Sequence, residues 1–274
     1  MPELPEVEII KRELIEHSIN KKIINVLSSG KKLRKDIPSL EHLIGQKIVN
    51  VHRRNKYLIL ETQNNWVVIH LGMTGQLIFS NNGVPEKKHI HFQIILSNNE
   101  CLYYIDPRRF GLIESFYKSS YPYFNDIPLF DNLGIEPLGN FEEEDFLKLF
   151  KKKKTAKAFL LDGSLVCGLG NIYANEILFL SKVNPEQNVL LLSEEQRKEI
   201  YSHIKPTLLK AINLGGSSIS DYVHTNGTKG EMQKFYNVYG LNGKPCKVCG
   251  THIEKITQNG RSSFYCPQCQ PIVE

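Results

Sequence analysis

The spacing of hydrophobic positions changes period several times along the chain. Residues 5–17 place Val7, Ile10 and Leu14 at helical intervals among charged positions, which predicts an opening helix. From about residue 22 to 118 the pattern turns to short β-rich runs, at 47–51, 57–60, 66–69, 91–96 and 102–105. Turn residues such as Asn64-Asn65, Asn81-Asn82-Gly83 and Ser97-Asn98-Asn99 separate them. Short strands at this spacing predict an antiparallel sandwich or barrel. The stretch 119–138, rich in Pro, Asn, Asp and Tyr, reads as a connection between domains. Helical patterns then dominate at 142–150, 172–180 and 194–214. Gly215-Gly216-Ser217-Ser218 opens a polar loop with further glycines at 227 and 230, and a cysteine-bearing module begins near residue 244.

Composition changes this picture little: of 274 residues, 41% are hydrophobic and 23% charged, an ordinary globular balance. The net charge of +5 is modest, but its distribution is informative. Basic residues cluster as Lys21-Lys22, Lys31-Lys32, Arg34-Lys35, Arg53-Arg54 with Lys56, and Lys151-Lys152-Lys153-Lys154. Any one such run is ordinary solvated surface; their number points to a polyanionic partner. No basic segment followed by an apolar run opens the chain, and no stretch has the length of a membrane span. The expectation is a cytoplasmic protein with no membrane partner, where thiols stay reduced.

That compartment bears on the tail. Cys246-Lys247-Val248-Cys249 and Cys266-Pro267-Gln268-Cys269 are separated by sixteen residues, the arrangement of a closed four-thiolate zinc site. Such an ion is structural, since four cysteines leave no position for substrate. Between the knuckles, 253–257 and 262–265 read as a hairpin turning at Asn259-Gly260, with Arg261 just beyond the turn.

The opening Met1-Pro2-Glu3-Leu4-Pro5-Glu6-Val7-Glu8 supports two readings. Proline and glutamate in a first helical turn are ordinary helix-start chemistry. Removal of Met1 would also expose a secondary α-amine at Pro2. An α-amine titrates near about 8 and is about a tenth neutral at pH 7, far more than a lysine. It suits nucleophilic attack on a sugar carbon, with Glu3 and Glu6 to donate a proton and orient the amine. Cys101 and Cys167 read as core thiols, and Trp66 as core.

These residues carry a resemblance. The segment Pro2 to Glu8 resembles the signature of the formamidopyrimidine-DNA glycosylases, and the match runs the full length of the chain. Lys56, in Arg53-Arg54-Asn55-Lys56-Tyr57-Leu58, looks like the family's catalytic lysine. His70-Leu71-Gly72-Met73-Thr74-Gly75 and Asp106-Pro107-Arg108-Arg109-Phe110-Gly111 look like its two intercalation loops. Gly168-Leu169-Gly170-Asn171 through Glu176 resembles its helix–two-turn–helix motif, and the four-cysteine hairpin with Arg261 its zinc finger.

The resemblance implies an α+β fold. An N-terminal antiparallel β-sandwich with flanking helices (1–118) and a connection (119–140) precede a helical DNA-binding domain with the base-recognition loop (141–240) and a zinc finger (241–274). It implies a bifunctional glycosylase/lyase that removes oxidised purines from double-stranded DNA, acting as a monomer with one structural Zn2+ held by Cys246, Cys249, Cys266 and Cys269. Pro2 is then the nucleophile, Glu3 the acid, and Lys56 and Arg261 serve phosphate contact and elimination. His89, Arg108, Lys153, Lys157 and Asn171 fall where the family holds DNA. Met73, Arg108 and Phe110 would fill the space left by an extruded nucleotide. His89 and His91, two apart, would share a face on a regular strand, and only His89 matches a DNA-holding position. Leu4 and the long loop before residue 240 argue against the related endonuclease VIII type; a zinc-ribbon DNA-binding protein without catalysis would not need Pro2-Glu3.

Overall fold

A computed structural model of the chain describes residues 2–80, 88–97, 99–217, 225 and 229–273. The turn residues Asn81, Asn82, Gly83 and Asn98, and the loop residues Ser218, Asp221, Asn226 and Gly227, lie outside the described residues. The chain packs as two compact units, Met1–Asp131 with Leu214–Gln233 and Asn132–Asn213 with Lys234–Glu274.

The first unit opens with helix α1 (Leu4–Ser18), which carries Pro5 and Glu6 in its first turn. There a proline sacrifices no helical hydrogen bond and an acid meets the positive end of the dipole. Val7, Ile10 and Leu14 are buried on one face of the helix and belong to a core shared with two antiparallel sheets. One sheet has the order β1 (Ile23–Ser28), β6 (Ile90–Leu96), β7 (Cys101–Ile105), β5 (Gln76–Ser80). The other has the order β2 (Ile48–Arg54), β3 (Tyr57–Thr62), β4 (Asn65–His70), β8 (Leu112–Tyr117). The sheets share no strand, so the architecture is a sandwich rather than a barrel. Leu58, Leu60, Val67 and Ile69 enter the core from the second sheet, and Phe92, Ile94, Leu102 and Tyr104 from the first.

The second sheet is covered on its outer side as well. The segment expected to be a connection folds as two short 3-10 turns, Phe124–Asp126 and Pro128–Phe130. Phe124 packs edge-on against Trp66, Phe130 packs against Tyr57, and Trp66 Nε1 donates to the Tyr121 carbonyl at 2.8 Å. Its turn-rich composition concealed aromatic anchors. Trp66 is buried as expected, in this outer layer.

In the second unit, helices α2 (Glu143–Leu147), α3 (Ala156–Leu160), α4 (Asn171–Leu180) and α5 (Glu194–Asn213) precede the hairpin β9 (Glu254–Gln258)–β10 (Arg261–Tyr265). Two expected boundaries move. The described part of 214–233 packs in the first unit, because Gly215 and Gly216 take φ of 74° and 75° and turn the chain away from α5. The zinc module is not separate, because Phe179, Val238, Ile253 and Phe264 form one cluster with Cys246 and Cys266. The Glu176 carboxylate, 1% exposed, secures that junction by accepting the N–H groups of Asn237, Val238 and Tyr239 at 2.8–3.0 Å.

Candidate active site

Strand register gathers the first unit's candidate residues at one rim. The β2–β3 turn carries Lys56, β4 ends at His70 opposite Leu112, and Ile105 pairs with both Gln76 and Ile90. The loops 71–75 and 106–111, His89 and Lys56 therefore all lie at strand ends on the same side. Helix α1 joins this rim through Glu8: its carboxylate accepts from Arg53 Nε at 2.9 Å, and Arg53 Nη1 donates to the Asn55 carbonyl at 2.8 Å. Asn55 takes φ of 55°, as the two-residue turn that presents Lys56 requires. Burial raises the Glu8 carboxyl pKa, but its bonds to Arg53 and Arg12 and the charge of Lys11 outweigh that and hold it below the usual range.

Pro2 and Glu3 are buried at the head of α1. Glu6 turns back on them: Oε2 accepts the Glu3 N–H at 2.9 Å, and Oε1 accepts the Ser217 N–H at 2.8 Å. Glu13 accepts the Thr225 N–H at 2.8 Å in the same manner. Ser217 and Thr225 of the polar loop are thus bonded to α1.

The two loops at the rim expose what they carry. Met73 is 40% exposed and Phe110 46%, which ordinary core packing would not produce. The Arg108 guanidinium lies 4.8 Å from the Phe110 ring centroid. The loop backbones touch: a Cβ on Gly72, which has φ of 63°, would fall 2.5 Å from the Phe110 carbonyl carbon. Gly111 is equally constrained, since a Cβ there would fall 1.6 Å from the Tyr104 hydroxyl. His70 joins both loops. Its Nδ1 accepts from Gly72 N at 3.0 Å and Arg34 Nη2 at 3.1 Å, and Arg34 Nη2 also donates to the Phe110 carbonyl at 3.2 Å. Burial first, then the charges of Arg34 and Lys56, bring its pKa down to about 4, so the ring is neutral.

His89 is exposed with φ of 73°, ahead of the strand that starts at Ile90. It does not share a face with His91, which is buried and bonds through Nε2 to the Asp106 carbonyl at 3.0 Å.

In the second unit, α4 begins after Gly170, and Gly168 takes φ of 90° in the turn before it. Asn171 Nδ2 donates to the Ser262 carbonyl at 3.0 Å. Lys157, expected among the DNA-holding residues, is turned inward in this structure. It is 1% exposed, and its ammonium donates to the Ser262 carbonyl and Ser263 Oγ, each at 2.6 Å. Its side chain braces the hairpin from beneath. Arg261 stands exposed at the hairpin tip, where Asn259 and Gly260 take φ of 49° and 72°. A cavity of about 350 Å3 beside it is lined by Lys154, Lys157, Asp162, Gln258 and Arg261. Lys154 is ion-paired to Asp162. Lys153 is exposed and lines a different cavity with Glu186 and Asn188. Of the other cysteines, Cys167 is buried with Sγ 3.3 Å from Glu136 Oε2, whereas Cys101 is only half-buried.

The four tail sulfurs lie within 4.8 Å of one another, with Cys246–Cys269 at 3.9 Å and Cys249–Cys266 at 3.4 Å. Thiolates about 2.3 Å from a tetrahedral zinc ion stand about 3.8 Å apart, so the donor set fits. The N–H groups of Val248 and Cys269 point at the Cys246 and Cys266 sulfurs, each at 3.4 Å.

Three family models match: formamidopyrimidine-DNA glycosylase N-terminal domain over residues 1–113, the H2TH domain of the same enzymes over 133–223, and a zinc finger found in FPG and IleRS over 243–272. The tail holds one structural zinc ion. A formamidopyrimidine-DNA glycosylase of Wolbachia sp. subsp. Drosophila simulans (strain wRi) is 39% identical, covering 98% of this chain and 100% of the relative. The Lactococcus lactis Fpg solved in complex with an abasic site containing DNA is 37% identical, with a TM-score of 0.89 over 98% of this chain and 100% of that one. MutM in complex with carbocyclic 8-oxo-G containing DNA is similar at 37% identity and a TM-score of 0.88, with the same coverage.

Proposed function

This chain belongs to the formamidopyrimidine-DNA glycosylase family, and on that premise we propose that it removes oxidised purines from duplex DNA with Pro2 as nucleophile and then cuts the strand. Once Met1 is removed, the Pro2 nitrogen attacks C1′ of the damaged nucleotide and the C1′–base bond breaks, the base leaving with the bond's electron pair and taking up the proton that the Pro2 nitrogen sheds. Glu3 protonates the ring oxygen as the sugar opens, giving an iminium between Pro2 and C1′. Loss of a proton from C2′ then expels the 3′ phosphate, and a second elimination expels the 5′ phosphate. Lys56 and Arg261 contact the phosphates and serve these eliminations.

The observation that supports this reading most is the shared rim. The head of α1, the Lys56 turn and the exposed Met73 and Phe110 loops belong to one end of one sandwich. Reaching C1′ requires the nucleotide to leave the stack, at a cost of a few kcal/mol. A thioether, a ring and a planar cation at the rim suit the vacated space. His89 and Arg108 on the rim, and Asn171, Lys153 and Arg261 in the second unit, supply groups for the backbone of damaged double-stranded DNA. The zinc ion keeps the Arg261 hairpin folded and takes no part in the reaction. The enzyme acts as a monomer in the cytoplasm. Among the described residues no helix is long and apolar enough to cross a membrane.

The test is single-turnover excision with duplexes carrying 8-oxoguanine, a formamidopyrimidine or an oxidised pyrimidine. The reading requires faster release of both purine lesions; preference for the pyrimidine would assign the chain to the endonuclease VIII type of substrate instead.

A further inference from the structure

Asp106 is wholly buried, with 0% of its surface exposed, at the root of the second loop. Oδ1 accepts the Thr74 hydroxyl at 2.5 Å, and Oδ2 accepts the Gly111 N–H at 2.9 Å and the Tyr104 hydroxyl at 3.2 Å. The Thr74 hydroxyl also accepts the Arg108 N–H at 3.3 Å. One hydroxyl therefore links the loop of Met73 to two points on the loop of Arg108 and Phe110. Main-chain bonds add stiffness within each loop, from Gly75 N to the Leu71 carbonyl and from Arg109 N to the Asp106 carbonyl.

We propose that Thr74 and Asp106 are a positioning pair, which fixes the spacing of the two loops so that Met73, Arg108 and Phe110 enter the duplex as one body. The inference rests on the reading that these loops meet DNA, and adds which groups set their register. Neither residue is exposed enough to be the wedge itself: Thr74 is 7% exposed. Asp106 Oδ2 also ties Gly111 within its own loop, but both bonds of the Thr74 hydroxyl run between the loops, which separates this role from ordinary turn stabilisation. A wedge of three side chains on two loops works only if the loops do not slide, because a displacement of about 1 Å is enough to spoil a reacting geometry. The Arg34 bridge to His70 and Phe110 is a second, independent tie. Loss of the Thr74 hydroxyl therefore loosens the loops without separating them.

The experiment uses the zinc-loaded full chain with Thr74→Val, which keeps the shape and removes the hydroxyl, and Thr74→Ser, which keeps the hydroxyl. Met73→Ala serves as the control for the wedge reading. Each is measured for single-turnover release of 8-oxoguanine from a duplex, for cleavage of a preformed abasic site, and for 2-aminopurine fluorescence beside the lesion. Thr74→Val is expected to lose about tenfold or more in base release and the fluorescence rise of extrusion, with abasic-site cleavage within about threefold of the parent. Thr74→Ser should restore both. Full base release by Thr74→Val, equal losses on both substrates, or failure of Thr74→Ser to rescue, each overturns the positioning role. If Met73→Ala spares base release as well, the wedge reading itself fails; if only Met73→Ala is selective, the pair alone is refuted.

Discussion

Glu6 holds the backbone of Glu3: its Oε2 accepts the Glu3 N–H at 2.9 Å, three residues back at the head of α1. Its other oxygen accepts the Ser217 N–H, so one carboxylate, 1% exposed, serves both the head of α1 and the returning loop. Removing it strands two buried donors. Glu6→Ala should lower unfolding free energy by about 2–4 kcal/mol, read from urea melts, whereas Glu6→Gln, which keeps one acceptor, should cost less. Equal stability of Glu6→Ala and the parent would mean that the carboxylate carries no load.

His70 gives the protein a measurable pH response. Its Nδ1 faces two donors and its folded pKa lies near 4, against an ordinary value of 6.5. Below pH 6.5 the unfolded chain takes up a proton that the folded chain refuses, so stability falls between about pH 6.5 and 4. The contribution is at most about 3–4 kcal/mol. His70→Gln offers an acceptor that does not titrate. The parent should lose stability relative to this variant as pH drops through that window, and parallel pH profiles would refute the assignment.

Lys157 and Arg261 should separate cleanly. Lys157→Met keeps the buried stem but removes the donor to the Ser263 hydroxyl and one of the two donors to the Ser262 carbonyl, which keeps Asn171 Nδ2. It should destabilise the second unit by about 1–3 kcal/mol. The salt dependence of DNA binding should stay the same, because no phosphate contact is lost. Arg261→Ala should leave stability within about 0.5 kcal/mol while reducing the salt slope by about one phosphate contact. A reduced slope for Lys157→Met would return that lysine to the phosphate-binding role.

Replacing Cys249 with Ser should release zinc, disorder the hairpin and abolish DNA binding, while near-UV signals of the first unit persist. Full metal content in this variant would contradict a four-thiolate site.

Helix α1, strands β2–β4 and the hairpin were legible in the sequence because each combined a clear period with a turn or cap. The four sulfurs were legible because two cysteine pairs at that spacing have few other uses. Other features depend on tertiary partners. Strand β1 exposes Ile24 and Leu27, so no inward-facing alternation marks it. The aromatic anchors of 119–131 are set in turn chemistry, and local composition reports the turns. Lys157 carries a signal in the sequence only through the resemblance, as a DNA-holding position, and only the fold brings the hairpin carbonyl to it. Thr74 and Asp106 stood inside recognisable motifs, yet nothing local distinguishes a buried carboxylate from an exposed one. Arg34 gave no signal beyond its charge.

The nucleophile is the central claim, and one measurement reaches it directly. The protein is incubated with an 8-oxoguanine duplex and borohydride, and the adduct is located by peptide mass spectrometry, alongside a form with extra residues before Pro2. Extension turns the secondary amine into a tertiary amide with no lone pair to give. The account predicts sugar on Pro2 with Met1 absent, and an extended protein that binds damaged DNA but traps nothing. An adduct on Lys56 or Lys157, or an extended protein that still excises the base, would contradict the proline mechanism.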